Sequence, residues 1–279
     1  MNYTLGHSVL SCAKTYFDYR LIKDLAAYQN KTATLENYTD PKLYNIYAYG
    51  TPYAQFVYHS GISGVQVASG LYNPGFIPKS NGVKVDYNNG RFLSTGNITG
   101  SKTSTMAVRE INTYLTTYSD SRILNESAFT SHPAFLPNRT GYIAPYQQVI
   151  SAAFFRLNDT KNEPLSLGGT DWTAYQVRIL CAMNDNFKLT AIADMIRDMK
   201  NRTFPVVQGE YAYPFNEYGD IKTGWDYNSY LNNPPTTAFI DRASFAYIQN
   251  DVFADKNPQL EVGIGTLDIR IARNPHLPY

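Results

Sequence analysis

Charge is scarce in this chain. Asp, Glu, Lys and Arg make up 17% of its 279 residues and sum to a formal net charge of +1. So balanced a composition supplies no electrostatic footprint for gripping nucleic acid or an anionic membrane. It also offers little repulsion between copies, which suits a chain that assembles. Cysteine is scarcer still. Cys12 and Cys181 are too few for a disulfide scaffold, and each lies in an apolar stretch, a setting for buried thiols more than for a single disulfide. No apolar run approaches the roughly 20 residues of a membrane-crossing helix. Residues 1–20 have neither the basic segment nor the long apolar core of a signal peptide, so none is expected.

The motifs of common chemistries are missing too. His7, His59, His132 and His276 are scattered, without HExxH or HxH spacing, so they read as solvated or capping side chains and not as zinc ligands. There is no G-x-S-x-G elbow, no P-loop and no strand–GxGxxG–helix unit. The "GIGTLD" near the end has two of the glycines but lies inside a predicted strand, where it marks close packing. The segment "DYNNGR" offers Asp86, Asn88 and Gly90, yet the glycine falls one place early for a calcium loop and Asn97 stands where the closing Glu belongs.

Acids beside aromatics can line a sugar cleft. Asp171 precedes Trp172, and Glu210, Glu217, Asp220 and Asp226 stand among Tyr213, Tyr218 and Trp225. The same mixture builds loops and wet interfaces, and nothing in the spacing sets two carboxylates across a cleft. Catalysis must be argued from a site. We therefore read the chain as a non-enzyme with no catalytic, cofactor-binding or metal-binding residue and no cofactor.

What the chain has in abundance is tyrosine, 24 residues within an aromatic fraction of 14%. Tyr combines apolar area with a polar tip and suits strands and protein interfaces. Leu10, Ala13, Phe17, Leu21, Leu25 and Tyr28 recur at helical spacing, predicting a helix over residues 5–28 that stops at the polar run from Asn30. "NIYAYG" and "QFVYH" read as strands. In "VKVDYNNGRFLST", Val83, Val85 and Tyr87 alternate with polar residues, and Asn89-Gly90 suits a type I′ turn. "STMAVREINTYLTTYS" predicts one long strand with a bulge near Arg109-Glu110. "YQQVISAAFFRL" and "TAYQVRILCAM" are further strands. Leu189, Ile192, Ile196 and Met199 then define a helix capped by Asp185 or Asn186, with Asp194, Arg197, Asp198 and Lys200 on its solvated face. Two strands close the chain, with Leu267, Ile269 and Ile271 opposite Asp268 and Arg270.

The expected fold is α+β: mostly antiparallel sheet with an N-terminal helix, a central strand–helix unit and β-hairpin extensions. It is read as one domain over residues 1–279 with a β-rich insertion at about residues 61–130.

Several segments together resemble structural proteins of tailed-bacteriophage virions. They are "GLYNPGFIP", "VKVDYNNGR", "REINTYLTTYSDSRIL", "PLSLGGTDWTAYQVRILCAMNDNFKLTAIADMIRDM", "YPFNEYGDI", "WDYNSYL" and "GIGTLDIRI", spread over about residues 65 to 271. The resemblance is one of texture and spacing, and it carries no catalytic motif. It implies a neck or tail-terminator-like protein made in the host cytoplasm and built into the particle. Such a protein forms a homo-oligomeric ring, expected to be a hexamer, that joins the head connector to the tail. Its partners would be copies of itself and neighbouring neck, connector, tail-tube or sheath proteins, with no membrane. DNA would pass through without specific binding, which the low charge and lack of basic runs permit. The hairpin at Asn89-Gly90 would be a candidate for reaching a neighbouring subunit. The competing expectation is a baseplate or tail-fibre protein that binds a receptor or glycan.

Overall fold

The structure is a computed structural model that describes residues 5–38, 43–79, 81–128, 151–164, 171–248 and 260–273. The fold is α+β with mostly antiparallel strands, as its sequence predicts. Helix α1 (Leu5–Lys23) opens the chain and is followed by strands β1 (Tyr28–Tyr38) and β2 (Tyr47–Gly50). Next come β3 (Gly70–Asn73), β4 (Gly75–Pro78), β5 (Val83–Asp86), β6 (Arg91–Ser94), β7 (Lys102–Arg109) and β8 (Asn112–Leu115). Helix α2 (Asp120–Ala128), β9 (Ala152–Pro164), β10 (Asp171–Met183) and α3 (Asn186–Arg197) form the middle. The last part holds β11 (Thr203–Pro205), a short 3-10 turn at Gly209–Ala212, α4 (Tyr227–Asn232), β12 (Thr237–Ile248) and β13 (Glu261–Arg273).

The strands make two sheets. One has seven strands in the order β4-β3-β7-β1-β2-β6-β5, and the other has six in the order β11-β12-β13-β10-β9-β8. The strands between residues 70 and 109 share the first sheet with β1 and β2. Within the second, β8 and β9 are parallel and every other pair is antiparallel.

In the six-stranded sheet, side-chain alternation sends Val177, Ile179 and Cys181 of β10 to one face and Leu180 and Ala182 to the other. The first face packs against α1 and α3 with Leu267, Ile269 and Ile271; the second packs against Ile123 and Leu124 of α2. Asp185 caps α3 by accepting from the Phe187 N–H at 2.8 Å. The glycines of "GIGTLD" sit in β13, where a Cβ on Gly265 would lie 2.7 Å from Ile196 Cδ1 and one on Gly263 would collide with the Phe245 ring. They are there for close packing, as expected.

Four sequence expectations are corrected. The first helix ends at Lys23, and residues 28–38 are a strand. Its alternation is weak because only Ala33 and Leu35 pack into the core while most of its other side chains face water. The segment around Phe56 is buried but joins β7 through a single bridge to Val108. The expected long strand over residues 104–119 is two strands that end at Leu115, and the predicted bulge at Arg109-Glu110 is where the chain leaves one sheet for the other. The Asn89-Gly90 turn is also different. Asp86 pairs with Arg91, so the loop has four residues, and among Tyr87, Asn88, Asn89 and Gly90 only Gly90 has positive φ, at 59°. Tyr87 turns inward and donates from its buried hydroxyl to the Ala68 carbonyl at 2.7 Å. That burial outweighs the two-residue turn that Asn-Gly would favour. Gly90 lies against the Tyr53 carbonyl, so the hairpin is packed down and does not project.

Candidate functional site

The acids that suggested a sugar cleft are dispersed to structural tasks. Asp226 caps α4 by accepting from the Asn228 N–H at 3.0 Å. Asp220 is buried, accepts from the Ile221 N–H at 2.8 Å and pairs with Lys79 at 3.3 Å. Asp171 begins β10, and Glu210 lies on the 3-10 turn. Glu217 and Tyr218 do meet the hairpin, in a cleft of about 150 Å³ also lined by Asp86, Asn88, Asn89 and Tyr213. Asp86 is committed there, accepting from Arg91 Nε at 2.6 Å and from the backbone and side chain of Asn89 at 3.1 and 2.9 Å. Burial raises its carboxyl pKa, and the Arg91 guanidinium opposes that rise. Among the described residues, no group of three or more His, Cys, Asp or Glu is placed to hold a metal ion.

Cys12 and Cys181 are both buried and unbridged, in agreement with the thiol reading. Burial pushes the Cys12 thiol up to about 12, and the Cys181 thiol higher still, so neither is a nucleophile. His7 is exposed, while His132 and His276 lie outside the described residues. His59 contradicts the expectation of a solvated or capping histidine. It is 2% exposed and ringed by Tyr58, Tyr227, Tyr19 and Trp225, with centroids at 4.3, 5.5, 5.7 and 6.4 Å. Desolvation holds it neutral and lowers its pKa to about 3.

Next to His59 lies a charge cluster that the sequence reading missed. Asp18 of α1 is fully buried. Its Oδ2 accepts from Lys14 Nζ and the Tyr58 hydroxyl, both at 2.7 Å. Its Oδ1 accepts from Arg109 Nη1 at 2.9 Å and the Thr113 hydroxyl at 2.5 Å. Burial alone would raise the Asp18 pKa, but Arg109 and Lys14 hold it well below the usual carboxylate range. The cluster joins α1 to the end of the first sheet (Arg109) and the start of the second (Thr113). The Gln55 side chain closes it by donating to the Thr113 carbonyl and accepting from the Thr113 N–H, both at 2.9 Å. The carboxylate is fully buried, and the cluster serves as a joint between the helix and the two sheets. The signal present in the sequence was Lys14 and Asp18, one helical turn apart on a helix otherwise rich in apolar residues.

The surface is where function must be sought. Large apolar side chains stand in water: Tyr44 is 87% and Phe187 85% exposed, and Tyr72 and Phe76 form an exposed pair with rings 5.0 Å apart. The six-stranded sheet is also open on both sides among the described residues. On one side β8 covers β9 only from Ala152 to Phe155, leaving the outer edge of residues 156–164 without a strand. On the other side β11 pairs with residues 237–239 of β12, and the outer edge beyond Ile240 is bare. Such edges present backbone donors and acceptors that template further pairing. Between them, on the polar face of the sheet, lies a shallow trough of about 320 Å³ lined by Asp159, Lys161, Gln176, Asp241, Arg242 and Asp268, among others. It holds cations and acids together, with no excess of either to grip a polyanion.

No helix among the described residues is long and apolar enough to cross a membrane. No protein-family model matches the chain, and no curated protein matches it.

Proposed function

We propose that this chain is a structural component of a tailed-phage virion, forming a homo-oligomeric ring at the neck or tail end that joins the head connector to the tail. The observation that carries the reading is the six-stranded sheet, which among the described residues has an open edge on each side. Two different edges on one molecule make a heterologous contact, and heterologous contacts close into rings when the rotation permits. Exposed aromatics and few charges support the same reading. So do the segments that resemble phage virion proteins, which are spread through both sheets. A mixed-charge trough suits a wall past which DNA slides.

The test is the mass of the purified chain in solution, with negative-stain images of the same sample. A six-fold particle with a central hole is the expected result. A monomer at every accessible concentration, without partner binding, overturns the reading.

A second reading, a baseplate or fibre protein that binds a receptor or glycan, draws on the small cleft where Tyr213 and Tyr218 meet Asn88, Asn89 and Glu217. A compact trimer that retains a glycan on an array would favour it.

A further inference from the structure

We propose that one face of the seven-stranded sheet binds a neutral, unbranched oligosaccharide of glucose-type units, stacked on Tyr72 and Phe76. The site does not depend on the ring reading: a ring and a single copy carry it alike.

Strand pairing sets the platform. Thr34 of β1, Thr103 of β7, Tyr72 of β3 and Phe76 of β4 are consecutive cross-strand partners and form one row. Thr32 and Thr105 are partners in the next row on the same face. That face is the open one. Thr32, Thr34, Tyr72 and Phe76 are exposed, while Ala33, Leu35 and Leu71 at the alternate positions turn into the core. The platform lies at the β4 end of the sheet, away from the β5–β6 hairpin and the small cleft beside it.

Two contacts hold the aromatic end. The rings of Tyr72 and Phe76 lie 5.0 Å apart, and a Cβ on Gly70 would lie 2.9 Å from Phe76 Cζ. The Phe76 ring thus fills the place of the side chain that Gly70 lacks, and it is held against the sheet while remaining 47% exposed. Ser104 secures the strand beneath by donating to the Gly70 carbonyl at 2.6 Å. Rings held in this way lose little freedom when a ligand arrives.

The chemistry of the face selects the ligand. An aromatic ring presents negative potential from its face. A glucose-type sugar presents C–H bonds from its ring faces and hydroxyls from its rim, so it stacks on an aromatic ring and directs its hydroxyls sideways. The ring separation of 5.0 Å is close to the length of one sugar unit in an extended chain, so Tyr72 and Phe76 can take two consecutive units. The sideways hydroxyls then meet Thr103 and, beyond it, Thr34. Thr hydroxyls both donate and accept, as sugar hydroxyls require. The Thr32 and Thr105 hydroxyls are 3.1 Å apart, a bond that uses one of their O–H groups and leaves the other to donate.

Charge and size exclude other occupants. Neither row contains an ionised side chain, and the same face of β1 continues to Glu36, an acid. Single-stranded nucleic acid also stacks on aromatics, but it needs cations along its backbone. From strand and residue spacing the two rows cover about 14 Å by about 7 Å, on the order of 100 Å². A stable contact with a second copy needs about 800 Å² on each side. A face of this size suits two sugar units and not a protein.

The experiment uses the full-length chain with cellohexaose, the β-linked hexamer of N-acetylglucosamine and oligo(dT), followed by saturation-transfer NMR and titration calorimetry. Binding of at least one of the sugars, and not of oligo(dT), is expected. Tyr72→Thr and Phe76→Thr keep strand propensity and should each weaken sugar binding about tenfold. Thr103→Val removes a hydroxyl without disturbing the rings and should weaken it about threefold. Phe187→Ser, at an exposed aromatic on α3, should leave it unchanged, and thermal melts confirm that each variant is folded. Failure of both sugars to bind overturns the proposal, as does sugar binding that survives Tyr72→Thr and Phe76→Thr. Retention of oligo(dT), or self-association that Phe76→Thr abolishes, overturns it in favour of nucleic acid or a second copy. None of the sugar results bears on the particle mass that tests the ring.

Discussion

Arg109 Nη1 lies 2.9 Å from Asp18 Oδ1 although 91 residues separate them. The contact fastens the N-terminal helix to the point where the chain passes from one sheet to the other. Arg109 is the last residue of β7, and Thr113, two residues after the intervening Glu110-Ile111, binds the same carboxylate oxygen. Two cations share one buried anion here, so Asp18 is the only carboxylate that the two of them share.

Asp18→Asn keeps the side-chain size and removes the charge, leaving Lys14 and Arg109 buried without an anion. Breaking a buried pair in this way costs about 3–5 kcal/mol. Urea denaturation followed by circular dichroism should show a large fall in midpoint. Lys14→Met should cost less, because Asp18 keeps Arg109. Equal losses would mean that Asp18 is not the hub.

Stability should fall on mild acidification because of His59. Its folded pKa is lowered from 6.5 to about 3. Below pH 6.5 the unfolded chain takes up a proton that the folded chain refuses, so stability is highest above 6.5 and declines toward 3. At pH 5 the loss from this group is about 2 kcal/mol, using 1.36 kcal/mol per pH unit. Asp18 has a depressed pKa and adds a further loss only below about pH 4. His59→Phe should flatten the urea midpoint between pH 6.5 and 4.5, where the wild type slopes.

Gly265→Val should destabilise the fold by about 1–3 kcal/mol through overpacking, because Ile196 of α3 occupies the space that the new side chain needs. Phe245 plays the same part over Gly263. Thermal melts of Gly263→Val and Gly265→Val, each compared with Gly→Ala, should show the larger side chain to be worse at both positions.

Gly90→Ala should loosen the hairpin. Its φ of 59° is unfavourable for a residue with a Cβ, and the Tyr53 carbonyl leaves no space for one. Faster cleavage between β5 and β6 in limited proteolysis is expected, together with a lower melting temperature. An unchanged digestion pattern would show that the loop relaxes freely.

Both thiols should resist an aqueous thiol reagent in the native protein and react fully in denaturant. Cys12 accepts from the Val207 N–H at 3.3 Å and Cys181 is completely buried. One fast-reacting equivalent under native conditions would contradict the packing around α1.

Where side-chain periodicity was strong, local structure was legible before any coordinates. Leu189, Ile192 and Ile196 with the Asp185 cap marked α3, and alternation along residues 175–183 and 267–271 marked β10 and β13. These segments each bury one continuous face, and burial writes a period into the residues. Strand β1 escaped because it is paired on both sides by backbone while its side chains remain largely in water. The Asp18 cluster escaped for a different reason. Its members come from α1, the loop before β3, β7 and β8, and no local pattern records that they meet.

Composition and periodicity by themselves determined the α+β class, the buried thiols and the close packing of the last strand. These depend on nearest neighbours and on whether a side chain meets water. Tertiary structure alone decided that residues 102–115 divide between two sheets and that His59 is sealed among aromatics. It also decided that the Asn89-Gly90 turn is packed down while, among the described residues, parts of β9 and β12 are left as open edges. Each of those outcomes is set by contacts between residues far apart in the chain, and pairing over such distances leaves no period to read.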